Sequence, residues 1–198
     1  MSRVQYSAQE LSFRQRWNNY IVLLFSLITL FGGISLRQQI LTATSTYINP
    51  EVGIRAQYPQ DWLIDNDGAY IFRIRDMRNI GFKTTIQLAI QAISESTTTR
   101  NIADLLTLNR SQSLAVYNVL DIDDHFILPD QKSATALSYT YVAIDTDPLL
   151  ESIPVVVQGL DVLTIRRGQV IIVSFIADGD SFLSKYPDFE QFLANLDY

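Results

Sequence analysis

The feature that most constrains the fold is an uncharged apolar run from Tyr20 to Leu36, YIVLLFSLITLFGGISL. Extended back to Trp17, the run would be about 30 Å long as a helix, which matches the hydrocarbon core of a bilayer. Trp17 and Tyr20 stand at its start, where amphipathic rings favour the membrane interface. We therefore predict a transmembrane helix over residues 20–36.

A cleaved signal peptide is the alternative interpretation of this run. Signal peptides have apolar regions of about 7–15 residues followed by a site resembling A-x-A. This run is longer, and its small-residue candidates, GIS at 33–35 and TAT at 42–44, fit such a site poorly. The pattern favours a retained anchor. Upstream, Ser7 and Glu10 fit a capping box, which predicts a helix start near Ala8.

The arginines around the run predict its orientation. Three precede it and two follow it nearby: Arg3, Arg14 and Arg16, then Arg37 and Arg55. By the positive-inside rule, residues 1–19 are expected in the cytoplasm and the C-terminal part outside it, in a periplasmic, lumenal or extracellular space. Residues 37–46 are polar without a strong pattern and are predicted to be a tether, followed by one globular domain over 47–198.

Small residues share one face of the apolar run: Ser26, Thr29 and Gly33, with Gly32 beside them. Small side chains let a second helix approach closely in lipid, where close packing drives helix association. This face therefore indicates docking against other membrane protein subunits. The alternative is that it has no such role, because any membrane helix contains a few small residues.

The composition excludes several classes of function. The chain contains no cysteine, which excludes disulfides, thiolate catalysis, cysteine-based zinc sites and a lipidated N-terminal cysteine. The net charge is −6, and because residues 1–36 carry a net charge of +2, the remainder carries −8. An acidic domain repels phosphate backbones, so we expect no nucleic-acid partner.

Alternating apolar and polar residues predict a series of strands after the tether. In GIRAQYP, Ile54, Ala56 and Tyr58 share one face, and Pro59 ends the strand. WLID is expected to be short and extended, and NDG at 66–68 to form a turn. The other predicted strands are AYIFRIR, TTIQLAIQAI and the segments near 116–128, 134–144, 155–166 and 170–177, the last two joined by a tight hairpin at RRGQ.

Two segments have helical spacing instead. In TRNIADLLTLNRSQSL, Ile102, Leu105 and Leu106 recur at the helical period, with Thr99 or Asn101 as the cap. The C-terminal segment forms a second helix, with Pro187 in its first turn. The prediction is an α+β fold, in which an antiparallel sheet of about seven strands is covered by helices and preceded by one transmembrane helix.

The stretch GIRAQYPQDWLI, from Gly53 to Ile64, resembles the opening signature of the PsbP-like domains, relatives of the extrinsic P subunit of photosystem II. In that signature a strand opened by glycine leads into aromatic-Pro-x-x-Trp, here Tyr58, Pro59 and Trp62. The midway helix, the long hairpin and a final helix with Phe-x-x-Phe-Leu-x-x-Leu spacing follow in the family's order. The resemblance covers roughly Ile48 to Leu196.

This resemblance implies an α/β/α sandwich and non-enzymatic work. PsbP-like proteins dock on membrane complexes, aid their assembly and, in some members, tune ion binding; photosynthesis is one such setting. Tyr58, Pro59 and Trp62 are then structural residues that anchor the first strand to the core. The chain differs from the family in carrying an apparent anchor where members have a transit peptide or a lipid-bearing cysteine.

No motif in the sequence indicates catalysis. G-x-S-x-G, the P-loop pattern and H-E-x-x-H are all absent, and His125 is the only histidine. A lone histidine near an acidic strand end is most simply a surface residue. We therefore predict no enzyme activity, no catalytic residue and no cofactor; a hydrolase that uses His125 is the remaining catalytic alternative.

The acidic stretch LDIDDHF raises the question of a metal site. If this stretch is an extended strand, Asp121, Asp123 and His125 share one face, while Leu120 and Ile122 point inward. Such side chains reach one ion only with a bulge, so the candidate calcium or manganese ligands are Asp121, Asp123 and Asp124, joined by the DTDP segment at 145–148. The alternative is an acidic edge that discourages strand-to-strand aggregation.

The leading functional expectation is a single-pass membrane protein that binds other membrane subunits, as an accessory or assembly subunit of a larger complex. Its partners would be those subunits and the lipid bilayer. A stand-alone extracytoplasmic module that binds a ligand or a divalent cation is the alternative.

Overall fold

The computed structural model describes the backbone of residues 13–41, 43–78, 81–144 and 153–198, with side chains over these ranges except at 13–16 and 38–41. The chain divides into two compact units, Met1–Ala43 and Thr44–Tyr198. The first contains helix α1 (Phe13–Leu41), and the second is a folded domain. The predicted capping box at Ser7 and Glu10 lies outside the described residues.

Helix α1 is longer than the predicted span, and its described side chains are exposed from Trp17 to Arg37. This segment, with a mean hydropathy of 1.9, is the one candidate membrane span among the described helices. Its length and composition fit a membrane anchor, and they also fit an N-terminal signal sequence. The Ser26 and Thr29 hydroxyls donate to the carbonyls of Val22 and Phe25 at 2.9 and 3.0 Å, which satisfies them inside the helix.

The domain contains nine strands and two helices in its described part. In chain order they are β1 (Thr44–Asn49), β2 (Ile54–Pro59), β3 (Leu63–Asp65), β4 (Phe72–Arg75), β5 (Thr85–Ala92), α2 (Thr99–Ser113), β6 (Ala115–Ile127), β7 (Ser133–Ala143), β8 (Val155–Arg166), β9 (Gln169–Asp178) and α3 (Phe182–Ala194). Strand β1 begins inside the segment 37–46 that was predicted to be a tether.

Seven strands form one antiparallel sheet in the order β3-β4-β5-β9-β8-β7-β6. This confirms the predicted α+β class, with an antiparallel sheet and helices on it. One detail was wrong, because β2, the GIRAQYP strand, pairs with β1 in a separate two-stranded sheet, and β3 takes its place in the large one. Alternation specifies which face of a strand is buried but not which strand lies beside it.

The hairpin of β8 and β9 lies at the centre of the sheet. Its turn has positive φ at both central residues, 53° at Arg167 and 75° at Gly168, as two-residue turns that match strand twist require. The ladder then runs without a shift from Arg166↔Gln169 to Val157↔Asp178. The hairpin predicted at RRGQ is confirmed.

One face of the sheet packs on α3 and the two-stranded sheet, and it holds the larger core. Its most tightly buried aromatic side chains are Phe72, Phe175, Phe189 and Phe192. Trp62 is 4% exposed, and Tyr58 packs against the same core, so both lie where the structural interpretation of the signature expects them. The opposite face packs on α2 through a smaller core that contains Ile102, Ala103 and Leu163.

Both helix starts differ from the sequence prediction. The N-cap of α2 is Thr98 rather than Thr99 or Asn101; the Asn101 amide donates to its hydroxyl, and the Thr98 amide donates to the Asn101 side chain. Helix α3 begins at Phe182, so Pro187 lies in its interior and not in its first turn. The ring of Phe182 packs on Phe175 with centroids 4.9 Å apart, and this packing extends the helix backwards past the proline.

Candidate functional site: a groove beside the C-terminal helix

An open groove of about 550 Å³ lies between the β6–β7 turn and α3. Its size is within the range of pockets that bind small molecules. The turn and the end of β6 form one wall, and two turns of α3 form the other. The lining residues are Phe126, Ile127, Leu128, Pro129, Gln131, Tyr186, Pro187, Glu190, Gln191, Leu193 and Ala194.

Hydrogen bonds within the β6–β7 turn determine the shape of the wall that the turn contributes. The Leu128 amide donates to the Lys132 carbonyl at 2.9 Å, and the Gln131 amide donates back to the Leu128 carbonyl at 2.9 Å. Gln131 adopts a left-handed φ of 65°, which closes the turn and places Pro129 on its outer side. The turn thus forms an apolar wall beside α3.

The groove has an apolar floor and a polar rim. Leu128 and Leu193 are buried beneath it, and Phe126 and Tyr186 are half-buried along it. The exposed polar groups on the rim are Gln131, Glu190 and Gln191. This arrangement suits an apolar side chain of another molecule, with a cationic neighbour opposite the Glu190 carboxylate.

A buried carboxylate fixes α3 to the sheet. Asp76 follows β4, is fully buried, and accepts from Lys185 Nζ of α3 at 2.7 Å and from Arg78 Nε at 2.9 Å. Burial opposes ionisation, but the hydrogen bonds from Arg78 and Lys185 outweigh it and hold the pKa of Asp76 well below its usual range. Nearby, burial raises the pKa of Asp188. These groups set the position of the wall that α3 contributes.

A second buried ion pair lies on the other face of the sheet. Arg110 of α2 makes a bidentate contact with Asp161 of β8, which is 0% exposed, and its Nη2–Oδ1 distance is 3.1 Å. The guanidinium lies 4.3 Å from the ring centroid of Tyr139. Burial opposes the charge of Arg110, and Asp161 overcomes this and raises the pKa of Arg110. The cluster is enclosed beneath α2 and has the character of a structural tie.

The predicted metal residues lie along β6, an edge strand. Asp121, Asp123 and Asp124 are all exposed, Asp124 pairs with Arg100 at 3.2 Å, and the Asp123 carboxylate accepts the His125 amide at 2.8 Å. Within the described ranges, no group of three or more His, Asp or Glu residues is placed to hold a metal ion. The DTDP residues Asp145 and Asp147 lie outside those ranges, so the cation site stays a prediction, to be tested by calorimetric titration with Ca²⁺ and Mn²⁺.

Bulges change the faces of β6 relative to the prediction. Its pairing with β7 shifts at three places, including one between Val119 and Asp121. As a result Val119 and Ile122 pack on the core beneath α2, whereas Leu120 is 51% exposed rather than inward. A bulge adds a residue to one strand and reverses the alternation beyond it. The alternation of apolar and polar residues in the sequence does not indicate such a bulge.

Sequence reasoning missed the groove itself. Its lining comes from two segments far apart in the chain, FILPDQ at 126–131 and YPDFEQFLA at 186–194. The one local signal was the Leu-Pro pair that ends β6, which marks a turn with an apolar side chain beside it.

Structural similarity to solved proteins, rather than sequence similarity, identifies the fold of the domain. No protein-family model matches the sequence, and no curated protein matches it. The solved structure of cyanobacterial PsbP, CyanoP, from Synechocystis sp. PCC 6803 aligns with a TM-score of 0.56 at 14% identity, over 78% of this chain and 92% of that one. The domain has the PsbP fold. The PsbP resemblance seen in the signature residues is thereby confirmed at the level of fold.

A second structure shares this PsbP-like fold. LpqN of Mycobacterium tuberculosis, a protein involved in cell envelope biogenesis, aligns with a TM-score of 0.51 at 10% identity, over 78% of this chain and 89% of that one. At identities this low, the structural alignments establish a common fold and carry no functional residue from either protein to the domain described here.

Proposed function

We propose that this chain is a non-catalytic, single-pass membrane protein that serves as an accessory or assembly subunit of a larger membrane complex. The observation that carries the proposal is the open apolar groove between the β6–β7 turn and α3, on a domain whose chain also provides a candidate membrane span. The groove is the partner-binding surface, and the helix keeps the domain at the membrane where the partner resides.

The composition of the groove defines the partner. An apolar floor with the single carboxylate of Glu190 on its rim fits a protein segment that presents an apolar side chain next to a lysine or arginine. The occupant we propose is such a segment from a neighbouring subunit on the same side of the membrane. The positive-inside rule puts that side outside the cytoplasm.

Helix α1 makes a second contact with the complex in this proposal. A Cβ added at Gly32 or Gly33 would meet no atom of another described element within 4 Å, so their face is open for a partner helix. Gly33→Leu would block close approach and is expected to release the protein from its complex. Ile34→Leu, which keeps the volume of a neighbouring side chain, is the matched control.

The decisive experiment isolates the protein from native membranes in mild detergent and records its intact mass together with the proteins that co-purify. We expect the full-length mass and a stoichiometric membrane partner. Ala194→Trp fills the groove from an exposed position and should reduce the recovered partner at least tenfold. Gln112→Trp, on the exposed surface of α2, is the matched control and should leave recovery unchanged.

Two other outcomes would contradict the proposal in different ways. Equal recovery of the partner in both tryptophan variants would show that the groove is not the docking surface. A mass that begins after about residue 35, without any partner, would show a secreted solitary domain and would overturn the function itself.

A further inference from the structure

One end of the seven-stranded sheet gathers exposed apolar side chains, and we call it the apolar end. It is formed where β6 and β8 begin and where β7 and β9 finish, as the pairs Ala115↔Val142, Ala143↔Val155 and Val157↔Asp178 show. Helix α3 starts there too, because the Gly179 amide donates to the Val156 carbonyl at 2.8 Å. The apolar end is defined by Val116, Ile144, Ile153, Val156 and Leu183.

The exposure of these side chains is unusual for this domain. Ile153, Leu183 and Val116 are 83%, 82% and 77% exposed, the three highest values for large apolar side chains among the domain's described residues. Single exposed apolar residues are ordinary on a protein surface, whereas a group of them at one end of a sheet is a candidate interaction surface.

Val116 adds an independent observation. Its φ is 53°, in the left-handed region, which is a genuine outlier for a β-branched residue. The strained residue lies in the irregular stretch between Ala115 and Asn118, and its side chain is presented to solvent rather than to the core. Residues held in such strained conformations cluster at functional sites, which makes Val116 a candidate contact residue of the apolar end.

The chain enters the domain on the same side. Thr44 pairs with Pro59, whose carbonyl accepts the Trp62 amide at 3.1 Å, and the next residue begins β3. That first residue, Leu63, is aligned through Arg75 and Thr85 with Ile176, near the finish of β9. The first residue of β1 therefore lies towards the apolar end of the domain.

Few residues separate α1 from the domain in the sequence. Three residue steps join Leu41, the last residue of α1, to Thr44, and fully extended they span at most about 10 Å. The sequence therefore leaves little chain between the candidate span and the first strand of the domain.

We propose that the apolar end is a lipid-binding surface, which inserts Val116, Ile153 and Leu183 into the headgroup region of the bilayer that anchors α1. The inference rests on α1 being a retained anchor, as in the proposed function, and it adds a second membrane contact. The domain is acidic, so attraction to anionic headgroups does not drive this contact; burial of apolar side chains does. The groove beside α3 then lies towards the far end of the domain, free for a partner protein.

The absence of native cysteine allows a direct test. Single cysteines at Ile153 and Leu183, and control cysteines at Ile48 and Ile165 towards the other end of the domain, are labelled with a polarity-sensitive fluorophore in the full-length protein. The purified protein is reconstituted in phosphatidylcholine vesicles that contain doxyl-labelled lipid. We expect quenching at the apolar end to be at least threefold stronger than at the controls.

A triple variant strengthens the test without disturbing the core. Val116→Ser, Ile153→Ser and Leu183→Ser together should abolish quenching of a label at Ile144, whereas Ile48→Ser with Ile165→Ser should not. An unchanged melting temperature in both variants confirms that the domain is folded.

The outcomes separate this inference from the proposed function. Protein that floats with vesicles after a carbonate wash, but is quenched equally at both ends, overturns the lipid surface and leaves the anchor standing. Failure to float overturns both. Labels that are unquenched in vesicles but become shielded in native membranes would assign the apolar end to a protein partner and overturn lipid binding.

Discussion

The two faces of the sheet hold their helices in different ways. On one face, α3 is packed by aromatic rings, with Phe189 stacked on Phe175 at a centroid distance of 5.0 Å, and Lys185 ties it to the buried Asp76. On the other face, α2 is tied by the buried pair of Arg110 and Asp161. Each helix thus has an ion pair to a buried carboxylate, but only the pair on the α2 face is bidentate, which adds geometric specificity.

The two faces also differ in whether they present a candidate functional surface. The α3 face carries the groove, and the ion pair of Lys185 with the buried Asp76 keeps the helical wall of that groove in place. The α2 face holds a guanidinium between a carboxylate and the Tyr139 ring, which fixes the helix in one register. Gly159 reinforces this, because any Cβ there would collide with the ring of Tyr139.

The largest effect is expected from removing an aromatic ring on the α3 face. Phe189→Ala leaves a cavity beside Phe175 and should reduce the free energy of unfolding by about 4 kcal/mol. Leu183→Ala, in the same helix but exposed, should change it by less than about 0.5 kcal/mol. Urea unfolding followed by circular dichroism measures both, and similar losses would mean that α3 is not held by its aromatic packing.

A somewhat smaller loss is expected from the α2 face. Asp161→Ala leaves Arg110 buried without its counter-charge and should cost about 3 kcal/mol. Asp104→Ala removes the exposed partner of Arg100 and should cost less than about 0.5 kcal/mol. The same unfolding measurement compares them; equal small losses would show that the buried pair does not tie α2 to the sheet.

The third prediction concerns acid. The pKa of Asp76 is lowered in the folded protein, so its contribution to stability is present above its unfolded pKa of about 3.9 and is lost as the pH falls below that value. Asp76→Ala should cost about 2 kcal/mol at pH 7, because Arg78 keeps Asp61 as a partner. Melting temperatures between pH 7 and pH 3 should fall less steeply in the variant than in the wild type. Parallel curves would refute the role of Asp76.

The smallest effect is expected at the start of α2. Thr98→Ala removes one half of the capping box and should cost about 1 kcal/mol. Thr98→Ser keeps the hydroxyl and should restore most of that loss. If the serine variant is as unstable as the alanine variant, the methyl group of Thr98 rather than its hydrogen bond is responsible.

Much of the fold could be predicted from local pattern. Alternation located the long strands, and the RRGQ turn located their hairpin, because both depend on residues adjacent in sequence. The start of α3 was wrong because Phe182 is drawn into the helix by Phe175, a contact across the fold that no local signal carries. The exposure of Leu120 was wrong because a bulge is fixed by the neighbouring strand.

The candidate site was less accessible to prediction. Its two walls, from Phe126 and from Tyr186, come together only after the sheet has formed, so no spacing in the sequence indicates the groove. The acidic residues of β6 were conspicuous in the sequence, yet in the structure Asp121 and Asp123 lie exposed on a bulged edge strand. Charge and bulges both discourage edge pairing, which favours the alternative given for these residues.

The central hairpin also has a consequence for how the chain reaches its native state. Strands β8 and β9 are joined by the tight turn at Arg167 and Gly168, so their pairing closes the shortest loop in the large sheet and should form first. Strand β7 then adds to one side, and β5 to the other, across a much longer separation in the chain. The sheet is thus expected to assemble from its middle outward, and the last strands to join are those at its edges.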